Sequence, residues 1–405
     1  MLLPLLATCV LSTSRCPLVR LPADSVGMSG ERLAMIDHVA TKGVLARGFP
    51  GASVVVGRDG AVVWSKGYGS LDWSAESGPV DPSRTVYDLA SLTKVVATTT
   101  AIMVLYDRGR IRLDDPVARY LPAFRNGERR RVTIRQLLEH TSGLPAGREI
   151  PRHMTTSRAV RRLILSTPLQ HAPGTVQVYS DVGADVLGFV VEAVSGEPLN
   201  DFVRRNVFRP LGMANTRFRP PRGWRARIAP TEYSSRRQRQ LRGEVHDETA
   251  AALGGVAGHA GLFSTAHDLA VFAQMMLNGG SYNGRHIVKA STVALFTRRS
   301  AGWRALGWET CAGGASCGQH MSEHAFGHTG FTGTSLWIDP DQDLFVIVLS
   351  NRIHERRDGL VPPAAVLADV RADVADIAEL SVLDDGVEPP MPDGTRADRA
   401  NGWSR

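Results

Sequence analysis

The chain has 405 residues, 43% of them hydrophobic and 21% charged, enough apolar material for a large buried core and far too little charge for a disordered polymer. Its formal net charge is +7, yet the basic clusters Arg129-Arg130-Arg131 and 236–242 contain no DNA- or RNA-reading motif, so nucleic acid is not an expected partner. Length alone allows two or three domains, or one large enzyme domain.

The opening residues, Met1 to Cys16, form an apolar run too short to span a bilayer. They read as an export leader over 1–20 that lacks the usual basic start, so the expected location is periplasmic or extracellular. Any membrane association is expected through this N-terminus only. Cys9 and Cys16 would leave with the leader. Residues 29–48 carry apolar side chains at helical spacing, with Ser29 as cap and Gly48 as stop. Residues 51–69 are two β-branched runs around Asp59-Gly60, a hairpin signature.

A mostly helical middle follows. Helices are expected over 91–109, 133–144 (stopped by Gly143), 180–196 and 264–280, the last capped by Ser264 or Thr265. Between the last two, 213–262 is long and irregular, as a lid or a cleft wall would be. Cys311 and Cys317 lie in a Gly-rich loop and either pair or remain two thiols; the spacing lacks the partners of a zinc site. Strands return over 333–352, turning at Asp339-Pro340-Asp341, and 364–380 is a closing helix.

The expected fold class is therefore α/β (α+β). One antiparallel sheet is built from the two ends of the chain and flanked by N- and C-terminal helices, with an all-helical domain inserted and a cleft between the layers. The catalytic unit spans 29–378, with sheet parts at 29–88 and 285–378 and a helical part at 89–284; 379–405 reads as a flexible tail.

The chemistry is concentrated at Ser91-Leu92-Thr93-Lys94. Lysine is rare in this chain: Lys42, Lys66, Lys94 and Lys289 are all there are, against a large excess of arginine. Lysine, unlike arginine, can lose its proton in a protein. Residues i and i+3 of a helix share a face, with Cβ atoms about 5–6 Å apart, so Lys94 can reach Ser91. Serine needs a neighbour to take its proton. Burial and the positive end of the helix dipole would both favour a neutral amine at Lys94. Alone, S-x-x-K arises by chance on the order of once in such a chain, and the bland reading is a helix-start serine beside a surface lysine.

Two further patterns change the balance. Tyr179-Ser180-Asp181 follows a Pro-Gly turn at a helix start, where a tyrosine near cations can relay a proton; otherwise Tyr179 is a packing residue. His328-Thr329-Gly330 runs into the second hairpin. Gly330 allows close backbone approach, and the Ser91 and Phe331 N–H groups would form an oxyanion hole; otherwise this is a strand bend. His246, Asp247 and His259 match no compact zinc spacing and read better as cleft wall than as metal ligands. No cofactor or metal is required. Arg356 and Arg357 would hold a substrate carboxylate or, more simply, stand in solvent.

With these three motifs in this order, supported by 137–145, 258–265 and 331–340, the chain resembles the serine β-lactamase and penicillin-binding protein superfamily from Gly30 to Ala378. It is nearest the class C β-lactamase, DD-peptidase and esterase branch. The resemblance implies a β-lactamase/transpeptidase-like fold, Ser91 as nucleophile, Lys94 as general base or proton shuttle and Tyr179 as assisting acid or base. It also implies His328, Thr329 and Gly330 along the strand side, with the Ser91 and Phe331 amides as oxyanion donors. Two positions depart from the pattern. Asp181 stands where asparagine is usual and would pair with Lys94 and hold it charged. His328 stands where β-lactamases have lysine, which points away from efficient β-lactam hydrolysis and toward ester or peptide substrates. The expected activity is a serine hydrolase forming an acyl-enzyme with a D-Ala peptide, small ester or β-lactam. The alternative is a penicillin-recognising sensor, or a pseudoenzyme without turnover.

Overall fold

The computed structural model describes residues 17–313, 315–354, 363–383, 389–392 and 394–399. The leader up to Cys16, with Cys9, lies outside the described residues, as do Arg356 and Arg357.

Seven strands form the main sheet: β1 (Val19–Arg20), β2 (Gly51–Arg58), β3 (Ala61–Gly69), β7 (Glu309–Thr310), β8 (Phe326–Gly330), β9 (Thr334–Asp339) and β10 (Leu344–Ser350), in the spatial order β1-β3-β2-β10-β9-β8-β7. Only β1 and β3 pair in parallel; the remaining pairs are antiparallel. The N- and C-terminal hairpins meet through β2 and β10, where Val55 faces Ile347 in register. The two ends of the chain thus build one sheet, as the sequence suggested. The Asp59-Gly60 turn has both residues at positive φ (50° and 77°), the mirror-image geometry that matches strand twist.

The central strands are apolar without alternation because both faces are covered. Val54, Val56, Val346, Val348 and Trp337 pack under α1 (Met35–Leu45) and α5 (Pro363–Leu380). Val55, Leu336, Ile338, Ile347 and Leu349 face the larger helical half. Each such side chain, fully removed from water, contributes roughly 1.5–3 kcal/mol before entropy is set against it. In the helical half, α2 (Thr100–Asp107), α3 (Asp181–Ser195) and α4 (Ala266–Leu277) are buried along most of their length. Ser29 caps the first helical turn, Thr265 caps α4, and Gly196 ends α3 in the left-handed conformation. Among the described residues no helix is long and apolar enough to cross a membrane.

Three short strands position the site. β4 (Tyr87–Asp88) and β5 (Arg217–Phe218) flank β6 (Leu262–Ser264), pairing Asp88 with Phe263. This small sheet brings the segment just before Ser91 against the far end of the irregular 213–262 stretch.

Two expectations need adjustment, and one alternative left open by the sequence is decided. The helix expected over 133–144 is only Ile134–Leu138, because His140 turns to φ 58° and its ring folds inward. Cys311 and Cys317 are joined as a disulfide, Cα atoms 5.9 Å apart. Part of the tail is held rather than flexible: Arg396 Nη1 pairs with Asp373 (2.8 Å) and Asp376 (2.7 Å) on α5, and Asp398 accepts from Lys42 Nζ (2.7 Å) on α1.

Replacing Gly60 by valine forces a β-branched residue into the left-handed region. A loss of about 1–2 kcal/mol is expected from urea unfolding, with activity of the remaining folded protein unchanged.

Candidate active site

The chain reaches Ser91 through a strained corner. Ala90, a non-glycine residue, has φ 46°. Asp88 holds it there: one carboxylate oxygen accepts from the Ala90 N–H (3.0 Å), the other from the His246 N–H (2.6 Å) on the cleft wall. The carbonyls of Asp88 and Leu89 accept from Thr332 Oγ1 (2.6 Å) and Thr334 Oγ1 (2.9 Å) of the β8–β9 turn. The corner is therefore fixed from both sides, and Ser91 emerges at the head of a helix over 92–107. Lys94–Thr99 of that helix has the wider π-type winding often found at functional sites.

Lys94 is 3% exposed. Its Nζ donates to Ser91 Oγ at 2.9 Å, lies 2.7 Å from Asp181 Oδ1 and reaches the His259 carbonyl at 3.4 Å. Two of these contacts are hydrogen bonds, to Ser91 Oγ and the His259 carbonyl, and the Asp181 carboxylate beside them makes an ion pair. Burial alone would push the Lys94 pKa down, but Tyr179 and Asp181 beside it more than reverse this and hold it above the usual ammonium value. The neutral amine that burial and the helix dipole suggested is thus overridden by Tyr179 together with the aspartate in the asparagine position. Asp181 moves the opposite way: burial raises its pKa, Lys94 and His259 outweigh that, and the carboxyl is held below its ordinary range.

Asp181 opens α3, whose cap Ser180 accepts from the Gly183 N–H (2.9 Å) and donates to the Pro145 carbonyl (2.6 Å). Tyr179, just before the cap, is surrounded by rings and cations. Lys94 Nζ is 4.7 Å and Arg304 Cζ 4.9 Å from its ring centroid, with the His140 ring at 4.8 Å and His328 at 5.9 Å. His140 orients this segment, because its Nδ1 accepts the Ser180 N–H at 3.0 Å. Burial, then the cations Arg304 and Lys94, hold His140 well below the ordinary histidine range, as the acceptor role requires.

On the strand side, Gly330 ends β8. A Cβ there would lie 2.4 Å from the Leu89 carbonyl oxygen, so only glycine lets the strand edge lie so close to the corner before Ser91. Thr329 is half-buried and Phe331 stands exposed at the mouth, its ring stacked on His246 at 5.6 Å. His328 is 1% exposed, its Nδ1 2.7 Å from the Thr329 carbonyl. Burial pushes its pKa down to about 4, only partly opposed by Glu309. It is a neutral wall behind Tyr179. The nearby guanidinium is instead Arg304, 3% exposed and bonded to Glu309 at 3.0 Å.

The structure thus brings Ser91, Lys94, Tyr179, Asp181 and His328 together around one point. It does not bring His246 and His259 together as ligands: His246 faces Glu232 (3.3 Å), whereas His259 sits between two aspartates. Asp88, His140 and Arg304 are contributors that the sequence reading missed. The stretch 137–145 flagged His140 only as part of a resemblance, and nothing local marked Asp88 or Arg304.

A serine hydroxyl held by a buried lysine one helical turn away, opposite a strand edge that ends in glycine, defines a serine hydrolase. A family model described as Beta-lactamase matches residues 36–370. A putative D-alanyl-D-alanine carboxypeptidase from Escherichia coli strain K12 is 35% identical over 390 residues, covering 86% of this chain and 89% of that protein. A protein of the same description from Salmonella typhimurium strain LT2 is 34% identical, with 82% and 85% covered. Among solved structures, a penicillin-binding protein homologue from Caulobacter crescentus is similar with a TM-score of 0.70 and 20% identity, covering 87% of this chain and 99% of that one. A family VIII carboxylesterase gives a TM-score of 0.68 at 21% identity, with 86% and 99% covered. The chain belongs to the Beta-lactamase family.

The neutral His328 has a stability consequence. Its folded pKa lies below the unfolded value of 6.5, so its contribution is complete above that pH and is lost as pH falls toward about 4. Between pH 7 and 5 the loss is on the order of 2 kcal/mol, and His140 adds in the same direction. His328→Gln, which cannot titrate, should flatten this slope in denaturant melts without removing it.

Proposed function

We propose that the protein is a carboxypeptidase of D,D-peptides that works through an acyl-enzyme on Ser91, in the cell-wall compartment outside the cytoplasm. Ser91 Oγ attacks the carbonyl of the penultimate D-alanine; its proton passes to the Tyr179 phenolic oxygen, which in the same step releases its own phenolic proton toward the nitrogen of the leaving amine. The C–N bond then breaks, the amine of the terminal D-alanine takes that proton, and water hydrolyses the resulting ester. Lys94 remains an ammonium. It orients Ser91 through their 2.9 Å hydrogen bond and stabilises the negative charge that gathers toward Tyr179. In this reading the Ser91 and Phe331 main-chain N–H groups face the developing oxyanion.

The observation that carries the reading is the buried lysine hydrogen-bonded to the Ser91 hydroxyl and the His259 carbonyl and ion-paired with Asp181. The peptide substrate is supported by relatives that share about a third of their residues over most of their length and are described as putative D-alanyl-D-alanine carboxypeptidases. The buried His328, its pKa pushed down to about 4, argues against a β-lactam as the preferred substrate, since a neutral imidazole stands at the position where β-lactamases have lysine. Small esters are expected to be accepted, because an ester is the easier acyl donor.

The test is release of D-alanine from a diacetyl-Lys-D-Ala-D-Ala peptide, run beside p-nitrophenyl esters and nitrocefin. Wild type should turn over the peptide and the ester and leave nitrocefin nearly untouched. Ser91→Ala should lose at least about a thousandfold and should not be labelled by a tagged fluorophosphonate. Labelling of wild type at Ser91 without turnover of any substrate would make it a sensor, and no labelling would make it a pseudoenzyme; either contradicts the proposal.

A further inference from the structure

Besides Ser91 Oγ, the Lys94 ammonium donates to a main-chain carbonyl, His259 O at 3.4 Å, supplied by a loop remote in sequence. That loop is pinned onto the two helices that carry the reacting pair. Thr98 Oγ1, one turn after Lys94, donates to the Gly258 carbonyl at 2.6 Å. The Gly258 N–H donates to Asp185 Oδ1 at 2.9 Å, and Asp185 is one turn after Asp181 on α3. A Cβ on Gly258 would lie 1.9 Å from the Ala184 carbonyl oxygen, so the loop rests directly on α3.

The His259 side chain completes the attachment. It is 2% exposed, with Nδ1 2.7 Å from Asp185 Oδ1 and Nε2 2.9 Å from Asp247 Oδ1. Carboxylates facing both ring nitrogens call for a proton on each, that is, an imidazolium. Asp247 is itself fixed as the cap of the short helix Glu248–Ala252, accepting from the Ala250 N–H at 2.7 Å. One buried cation thus ties the cleft wall to α3 and keeps its own carbonyl against Lys94. It also balances charge: three carboxylates, Asp181, Asp185 and Asp247, share the region with two cations, Lys94 and His259.

We propose that His259 is a positioning residue of the hydrolase: clamped between Asp185 and Asp247, its imidazolium holds the loop carbonyl on the Lys94 ammonium and supplies the counter-charge that lets an aspartate serve at position 181. The inference rests on the reading of Lys94 and Asp181 as the reacting pair. The charged groups around His259 agree: burial lowers its pKa, but Asp185, Asp247 and Asp181 together raise it well above the ordinary value, with the Lys94 ammonium on the other side of Asp181.

The experiment is the pH dependence of kcat and KM on the D-Ala-D-Ala peptide and the ester for His259→Gln, Asp247→Asn, Asp181→Asn and the His259→Gln/Asp181→Asn double variant. Circular dichroism and melting check that each is folded. His259→Gln should lower kcat about 10- to 100-fold with KM changed less than about threefold, the cost of a misplaced catalytic group. Removing the cation also raises the Asp181 pKa, so the acid limb of kcat/KM should move to higher pH. That movement should vanish in the Asp181→Asn background. Asp247→Asn, which keeps the shape of the clamp, should show the same kcat loss at smaller size, and it decides the matter should His259→Gln fail to fold. A folded His259→Gln or Asp247→Asn with the kcat and acid limb of wild type overturns this proposal and leaves the hydrolase reading intact. Absence of wild-type turnover on every substrate removes the hydrolase reading itself, and this proposal with it.

Discussion

The ion pair between Lys94 and Asp181 sets the chemistry that the rest of the structure must accommodate. A buried lysine can be an amine that takes a proton or an ammonium that directs one, and the choice depends on what stands within hydrogen-bond reach. Here a carboxylate at 2.7 Å decides for the ammonium. Desolvation is the largest single influence on Lys94 and favours the neutral form, yet it is outweighed by its two neighbours together. In the proposed mechanism a charged lysine leaves the Ser91 proton to another group, and the relay assigned to Tyr179 is supported by Lys94 and the Arg304 guanidinium within 5 Å of its ring centroid. An aspartate in place of an asparagine is therefore a redistribution of roles rather than a local substitution.

Holding such a pair costs the fold something, and much of the surrounding architecture serves that end. The corner before Ser91 places an alanine at φ 46°, a conformation that L-residues avoid and that persists only when neighbours over-determine it. Asp88, Thr332 and Thr334 do so through four hydrogen bonds from three directions. The sheet makes this possible: β9 is buried along its whole length, so its first residue, Thr334, and the turn before it, through Thr332, present two hydroxyls to the corner before Ser91. Gly330 then permits the strand edge to approach to a distance that any side chain would block.

Much of the fold was legible in the sequence, because hairpins and capped helices are local. Asp59-Gly60 dictates its turn, Ser29 and Gly196 end helices by their own chemistry, and uninterrupted runs such as 344–350 announce strands buried on both sides. The three motifs carried Ser91, Lys94, Tyr179, Asp181 and His328 because each is short and ordered along the chain. What was not legible depends on long-range pairing. Asp88 reads as an ordinary strand residue until His246, 158 positions away, donates to it. Arg304 is one arginine among many until burial places it by Tyr179. The helix at 134–138 stops early because the His140 ring is needed elsewhere, which periodicity cannot reveal. Burial and helix position pointed to a neutral Lys94, and the aspartate that opposes them was legible only as a departure from a family pattern. The tail seemed too polar to pack; Arg396 and Asp398 dock by ion pairs with α5 and α1, which hydropathy does not register.

The scarcity of lysine gives the most direct test. Lys42, Lys66, Lys94 and Lys289 are the four lysines of the chain, so labelling lysine with 13C at the ε-carbon yields four signals, and Lys94→Met assigns the one that matters. The account predicts that the Lys94 resonance stays at its ammonium position from about pH 6 to about pH 9, and that Asp181→Asn brings a titration into that window. A wild-type Lys94 signal that titrates near neutral pH would mean a neutral amine beside Ser91, and would contradict the central claim.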